Sequence, residues 1–124
     1  MIPSAATLAL TTGEPAGVGP ELSVAAAAWF AGLRTGAVST EGWSDADRAM
    51  LPRLRAARLV LIGDPALLAS RAPHIDIGAL DGVTIAPVSL RAPSEAGVLA
   101  VGNRRYVLDT LGAPIALIEG GDAA

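Results

Sequence analysis

Apolar residues in this chain come in short runs, each closed by glycine, proline or charge. Ala6-Thr7-Leu8-Ala9-Leu10 predicts a short buried strand within residues 1–10. Leu22 to Phe30 predicts a helix, because its run of alanines is strongly helix-forming. Leu22, Ala25, Ala26 and Trp29 fall at helical spacing and predict its buried face, and Gly32 predicts its stop. Arg58-Leu59-Val60-Leu61-Ile62-Gly63-Asp64 is the clearest strand. Four aliphatic residues without a polar interruption suit a parallel strand buried on both faces. Asp64 as cap and Pro65 at the first helical position predict the next helix over 66–72. A third strand over 82–90 is demoted to an edge or a bend by Pro87. Asn103 to Leu111 predicts a helix capped by Asn103 and ended by Gly112-Ala113-Pro114. Ile115 to Ile118 predicts a short strand, and 119–124 a loose tail.

The stretch 33–57 interrupts this rhythm. Gly36 to Gly42 predicts a loop. Ser44 as N-cap, with Asp47 in the first turn, predicts a helix that Leu51, Leu54 and Arg58 continue and Pro52 bends. The simplest reading is an insertion on the surface, tucked down by Trp43. Strand, loop and helix occur in that order twice, which predicts an α/β layered domain with a mostly parallel sheet. Ligands of such sheets gather at the carboxyl ends of the strands, so the loop at 11–21 and Asp64 belong on one edge.

Composition narrows the chemistry. The 124 residues suffice for one domain, and 52% hydrophobic against 17% charged describes a core-forming chain. No apolar run approaches the ~18–20 residues of a membrane span, and no basic segment precedes the first apolar stretch. A cytoplasmic location and no membrane partner are therefore expected. With no cysteine, thiolate catalysis, disulfides and cysteine metal sites are excluded. All nine basic residues are arginine, the net charge is -3 and aromatics are 3%, which argues against a nucleic-acid partner. The single histidine, His74, reads as a turn residue, and no Ser–His–Asp arrangement is visible.

The candidate chemistry sits at Thr11-Thr12-Gly13-Glu14-Pro15-Ala16-Gly17-Val18-Gly19-Pro20-Glu21. Three glycines and two prolines in the eight residues from Gly13 to Pro20 make a demanding backbone. Pro20 suits a helix start, whose free N–H groups favour an anion. Thr12, Gly13, Glu14, Gly17 and Gly19 are the substrate- or anion-binding candidates, with a tight structural turn as the alternative. The third glycine of the dinucleotide fingerprint is missing and no lysine follows as in a Walker loop. Asp64 stands where a ribose-binding acid would, but about twice the ~20 residues expected from the glycines, and the helix cap is the favoured reading. Arg104 and Arg105 read as a phosphate contact or as a solvated helix start. No residue is assigned as catalytic or metal-binding.

The same loop, placed right after the first strand, resembles the opening of 4-hydroxythreonine-4-phosphate dehydrogenase (the PdxA family of vitamin B6 biosynthesis). Leu59 to Leu68 is similar to that family's second strand and helix. Pro87 to Pro93, Gly97 to Ala100 and Tyr106 to Leu108 match its next segment in type and order. The resemblance covers about residues 6–111 and only the N-terminal portion of the family. It implies an incomplete three-layer fold like the isocitrate and isopropylmalate dehydrogenases. It implies NAD-dependent oxidation of 4-phosphooxy-L-threonine, with decarboxylation to 3-amino-2-oxopropyl phosphate, by a homodimer using a divalent metal (Zn, Mg or Co). The family's metal-binding histidines and its substrate-binding His-Thr, lysine, asparagine and arginine positions lie later than this stretch, and the chain has no lysine. Neither NAD nor metal is demonstrably bound by these residues, and the chain is expected to be inactive by itself. One partial domain over 1–124 is expected, with 33–57 as insertion and 112–124 as a divergent tail produced by a frameshift or premature stop. The competing expectation is a stand-alone α/β module that holds a phosphorylated metabolite in the Gly-rich loop without catalysis.

Overall fold

A computed structural model describes residues 6–119. The chain runs β1 (Thr7–Thr11), α1 (Gly19–Thr35), α2 (Asp45–Ala56), β2 (Arg58–Gly63), α3 (Pro65–Arg71), β3 (Val83–Pro87) and α4 (Arg104–Glu119). Short 3-10 turns lie at Ile77–Ala79 and Val101–Asn103. The three strands form one parallel sheet in the order β1-β2-β3, as the repeated strand–loop–helix pattern predicts.

Leu61 pairs in register with Leu10 on one side and Ile85 on the other. Parallel register partners point to the same face, so Leu10, Leu59, Leu61, Val83 and Ile85 share one side of the sheet. There they pack with Val24, Ala27, Phe30 and Ala31 of α1 and with Leu68 of α3. Ile62 points to the other face, is fully buried, and lies outside that cluster. Helix α4 packs on β1 and β2, covering this second face with Tyr106 and Thr110 buried. Helices on both faces of a parallel sheet make the three layers expected of this fold class.

Local chemistry sets the helix starts. The Ser44 hydroxyl accepts from the Asp47 N–H at 3.1 Å, and the Asp64 carboxylate from the Leu67 N–H at 3.0 Å. Pro52 lies inside α2, and Arg58 belongs to β2 and does not extend that helix. Trp43 stacks on Trp29 with centroids 6.1 Å apart, which holds the 36–57 excursion against α1. Leu51 is the one buried residue of α2, so the excursion does lie on the surface.

Several expectations are corrected. Helix α1 runs through Gly32 and ends at Gly36, which takes the left-handed φ of 82° typical of a helix stop. Gly32 leaves no room for a side chain: a Cβ there would meet Val38 Cγ2 at 2.4 Å. The buried face of α1 is Ser23, Val24, Ala27, Phe30, Ala31 and Leu33, while Leu22 is 63% and Trp29 51% exposed. The helix is apolar nearly all round, so spacing alone offers two faces and the sheet selects one. Strand β1 is partly open, with Leu8 at 40% exposure, because among the described residues it pairs on one side only. Gly112, Ala113 and Pro114 do not end α4, and no strand forms at 115–118; the helix continues to Glu119. Proline costs the helix one hydrogen bond but does not forbid it. The expectation for 120–124, like that for 1–5, lies outside the described residues.

Arg34 ties α1 to the strand starts. Its Nε donates to the Asp81 carboxylate at 2.9 Å, its Nη1 donates to the carbonyls of Arg55 and Ala57, and its guanidinium stands 5.8 Å from the Phe30 ring centroid.

Candidate functional site

The three strands end at Thr11, Gly63 and Pro87 on one edge, where their following loops converge. The first loop turns at Gly13, with φ of 73°, and closes by a hydrogen bond from the Gly17 N–H to the Glu14 carbonyl at 3.0 Å. Glu14 is half-buried, and its Oε1 accepts from the Ala16 N–H at 3.3 Å. The Glu14 carboxylate thus braces the loop through a local bond. Thr12 is buried, and its hydroxyl donates to the Ile62 carbonyl at 3.0 Å. That hydroxyl is spent inside the fold, and Thr12 could meet a ligand only through its main chain. Gly19 opens α1 against this residue: a Cβ on it would stand 2.2 Å from the Thr12 carbonyl oxygen. Val18, in the N-cap position, makes no side-chain cap hydrogen bond. The N–H groups of the first helical turn therefore have no side-chain partner from the cap.

The loop after β3 folds back over this one. The Gly97 N–H donates to the Ala16 carbonyl at 2.8 Å. Arg71, at the end of α3, fastens the assembly: Nη1 donates to Glu21 Oε1 at 3.2 Å and to the Gly17 carbonyl at 3.4 Å, and Nη2 donates to Ser94 Oγ at 3.2 Å. Between the loops lies a cleft of about 570 Å³ whose walls include Gly17, Val18, Glu21, Leu22 and Gly97. Nothing in the spacing of the sequence singles out Arg71, since its three partners lie 23 to 54 residues away.

Asp64 resolves as a structural residue. Oδ1 caps α3, and Oδ2 accepts from the Leu90 N–H at 2.9 Å, which ties the loop after β3 to the end of β2. The Asp64 N–H in turn donates to the buried Tyr106 hydroxyl at 3.0 Å. Asn103 is not a free helix cap. Its Oδ1 accepts from the N–H groups of Arg91 and Ala92 at 3.0 and 2.9 Å, and its Nδ2 donates to the Ala92 carbonyl at 3.1 Å. Tyr106→Phe removes the acceptor of the Asp64 N–H without changing shape. It is expected to cost about 1–2 kcal/mol in chemical denaturation, with no change of fold by circular dichroism.

Arg104 is exposed, and Arg105 pairs with Asp109 at 3.2 Å. The Arg91 guanidinium, hydrogen-bonded to Asp109 at 2.8 Å, holds that carboxyl below its ordinary value of about 3.8, helped by the charge of Arg105. A carboxyl depressed in the folded state stabilises it above the ordinary carboxylate range, and that contribution is lost as pH falls through the lowered value. Asp109→Asn should therefore shrink the difference in melting temperature between about pH 7 and about pH 3. An unchanged difference would remove Asp109 from the acid response.

His74 is exposed in a turn. Among the described residues, no three of His, Asp and Glu stand close enough to hold a metal ion. The residues present do not fit the divalent metal that the resemblance implies. A Rossmann-type dinucleotide site is not built here, since both Asp64 oxygens accept from main-chain N–H groups and the third fingerprint glycine is absent. No helix among the described residues is long and apolar enough to cross a membrane.

The fold is that of an α/β layered domain, a three-stranded parallel sheet whose loops converge on one edge. Comparison with protein-family models finds no match. Curated relatives are similar over most of the chain. It is 38% identical over 113 residues to the 4-hydroxythreonine-4-phosphate dehydrogenase of Ralstonia nicotianae, covering 87% of this chain and 29% of that protein. It is 36% identical over 129 residues to the enzyme of that name from an Azoarcus species, covering 94% and 32%. With the Burkholderia vietnamiensis enzyme of that name it shares 40% over 119 residues, covering 93% and 30%. The chain thus belongs with the N-terminal portion of the 4-hydroxythreonine-4-phosphate dehydrogenases, and spans about three-tenths of the length of these relatives. A match over 94% of the chain necessarily runs beyond Leu111 into the stretch expected to diverge.

Proposed function

We propose that this chain supplies the N-terminal part of a 4-hydroxythreonine-4-phosphate dehydrogenase acting in vitamin B6 biosynthesis. The observation that carries the reading is similarity over 87% to 94% of the chain to proteins bearing that name. The complete enzyme oxidises 4-phosphooxy-L-threonine with NAD and releases carbon dioxide to give 3-amino-2-oxopropyl phosphate, as a cytoplasmic homodimer with a divalent metal. Metal and cofactor are held by parts of the enzyme other than these residues. This chain contributes one partial α/β domain with the 33–57 excursion inserted in it. The main chain around Thr12, Gly13, Glu14, Gly17 and Gly19 is its substrate- or anion-facing element. Supporting this role, the uncapped start of α1 lies beside the cleft roofed by Gly97.

By itself the chain turns nothing over. Two assays test the proposal. The purified chain with NAD, a divalent metal and 4-phosphooxy-L-threonine is expected to form no NADH. A chimera in which the chain replaces the matching segment of the Ralstonia nicotianae enzyme is expected to form it. A folded, inactive chimera would overturn the assignment.

The second reading is a binding module without catalysis. It is favoured by Arg71 and the Gly97–Ala16 hydrogen bond, which close the cleft with this chain's own residues. Saturable binding of a phosphorylated metabolite by the chain alone, with an inactive chimera, would select it.

A further inference from the structure

The 36–57 excursion has no part in the edge just described, yet with α1 it builds a cleft of its own. Helix α2 lays Asp47, Met50 and Leu54 along one side, at helical spacing, against Trp29 on the outer face of α1 and Trp43 ahead of the α2 cap. The cleft measures about 380 Å³, within the ~300–1,000 Å³ usual for small-molecule sites. Its walls are two indole rings inclined at 28°, a thioether and an isobutyl group. Anchoring the excursion explains the stacking of Trp43 on Trp29. It does not explain why Trp29 and Met50 remain about half exposed beside that stack.

Among the described residues, one charged side chain lines the cleft, Asp47. Its main-chain N–H is taken by Ser44, but its carboxylate makes no hydrogen bond or ion pair among the described residues. Arg48, the neighbouring cation, is turned to the Thr40 carbonyl at 3.0 Å. Indole faces attract cations through the ring quadrupole, and a carboxylate at the rim adds to the same preference. Anions are disfavoured by both.

We propose that this cleft binds a small organic ammonium compound, a single positive charge carrying alkyl groups. The alkyl groups lie on Trp29, Met50 and Leu54, and the charge lies between the Trp43 face and Asp47. The site is separate from the Gly-rich loop and does not depend on the dehydrogenase assignment.

The chain contains two tryptophans, and both line the cleft, so tryptophan emission reads this site alone. The probes are choline and its uncharged isostere 3,3-dimethylbutan-1-ol, titrated into the purified chain at fixed ionic strength. Choline is expected to give a saturable change in emission, with the isostere about tenfold weaker. Asp47→Asn is expected to weaken choline by about threefold and leave the isostere unchanged. Trp29→Leu, read by calorimetry, is expected to abolish choline binding while Trp43→Phe retains part of it. Equal binding of the two probes, no saturable response to choline, or an Asp47→Asn variant that binds choline as well as the parent would each overturn the proposal. A change in emission that follows protein concentration instead of choline would overturn it in favour of self-association through this face.

Discussion

Gly19→Ala is expected to destabilise the chain by about 3 kcal/mol or more, a fall in melting temperature on the order of 10 °C for a domain of this size. The added Cβ would lie 2.2 Å from the Thr12 carbonyl oxygen, inside any real contact distance. Neither side can yield cheaply. Thr12 is fixed to β2 twice, through its hydroxyl at 3.0 Å and its N–H at 3.4 Å to the Ile62 carbonyl. Gly19 is the first residue of α1, whose inner face carries Val24, Ala27 and Phe30 into the core. Relief requires moving the helix off the sheet or breaking the end of β1. The sign is diagnostic, because alanine in place of glycine within a helix otherwise stabilises by up to about 1 kcal/mol. Gly17→Ala is the control: its Cβ would meet the Glu14 carbonyl oxygen at 3.4 Å and the Glu14 Cβ at 3.9 Å, both ordinary contacts. A Gly19→Ala chain that melts with the Gly17→Ala chain would refute this account of the loop.

The same loop illustrates how much of the fold and site is legible in sequence. Residues 58–65 carry their structure openly: an unbroken aliphatic run for a strand covered on both faces, then Asp64 and Pro65 for a helix start. Both are found there. Helix α1 was legible as a helix but not by face, because alanines at 25 to 28 leave the hydrophobic stripe without an edge. Its extent was also hidden, since Gly32 looks like a stop and serves as a packing gap against Val38. In α4, Gly112 and Pro114 argue for an end, and the helix passes through both.

At the site, local signals told the loop's position and not its partners. The glycine pattern places a tight turn after β1. That Glu14 bonds back into the loop, and that Arg71 gathers Gly17, Glu21 and Ser94, depends on segments far apart in the chain. Asn103 shows the same limit. Its residue type suits a helix cap, and its side chain instead holds the loop at Arg91 and Ala92. Polar residues announce that they need partners but not which partners the topology will bring.

Leu61→Ala is the second large effect, expected to cost about 2–5 kcal/mol. Leu61 is fully buried at the middle of the central strand, in register with Leu10 and Ile85. Its side chain belongs to the cluster that joins the sheet to α1 and α3. Truncation removes the transfer energy of the lost carbons and leaves a void that three elements would have to close together. The sheet holds its strands at fixed spacing, and α1 is pinned at both ends, by Gly19 against Thr12 and by Arg34 against Asp81. Collapse into the void is therefore resisted, which puts the expected cost in the upper half of that range. Leu8→Ala, one turn of the pleat away on the same face of β1 but 40% exposed, should cost less than half as much. Urea unfolding of the two variants measures the difference. Equal losses would mean that the α1 face of the sheet is not the main core, and that stability resides on the Ile62 face beneath α4.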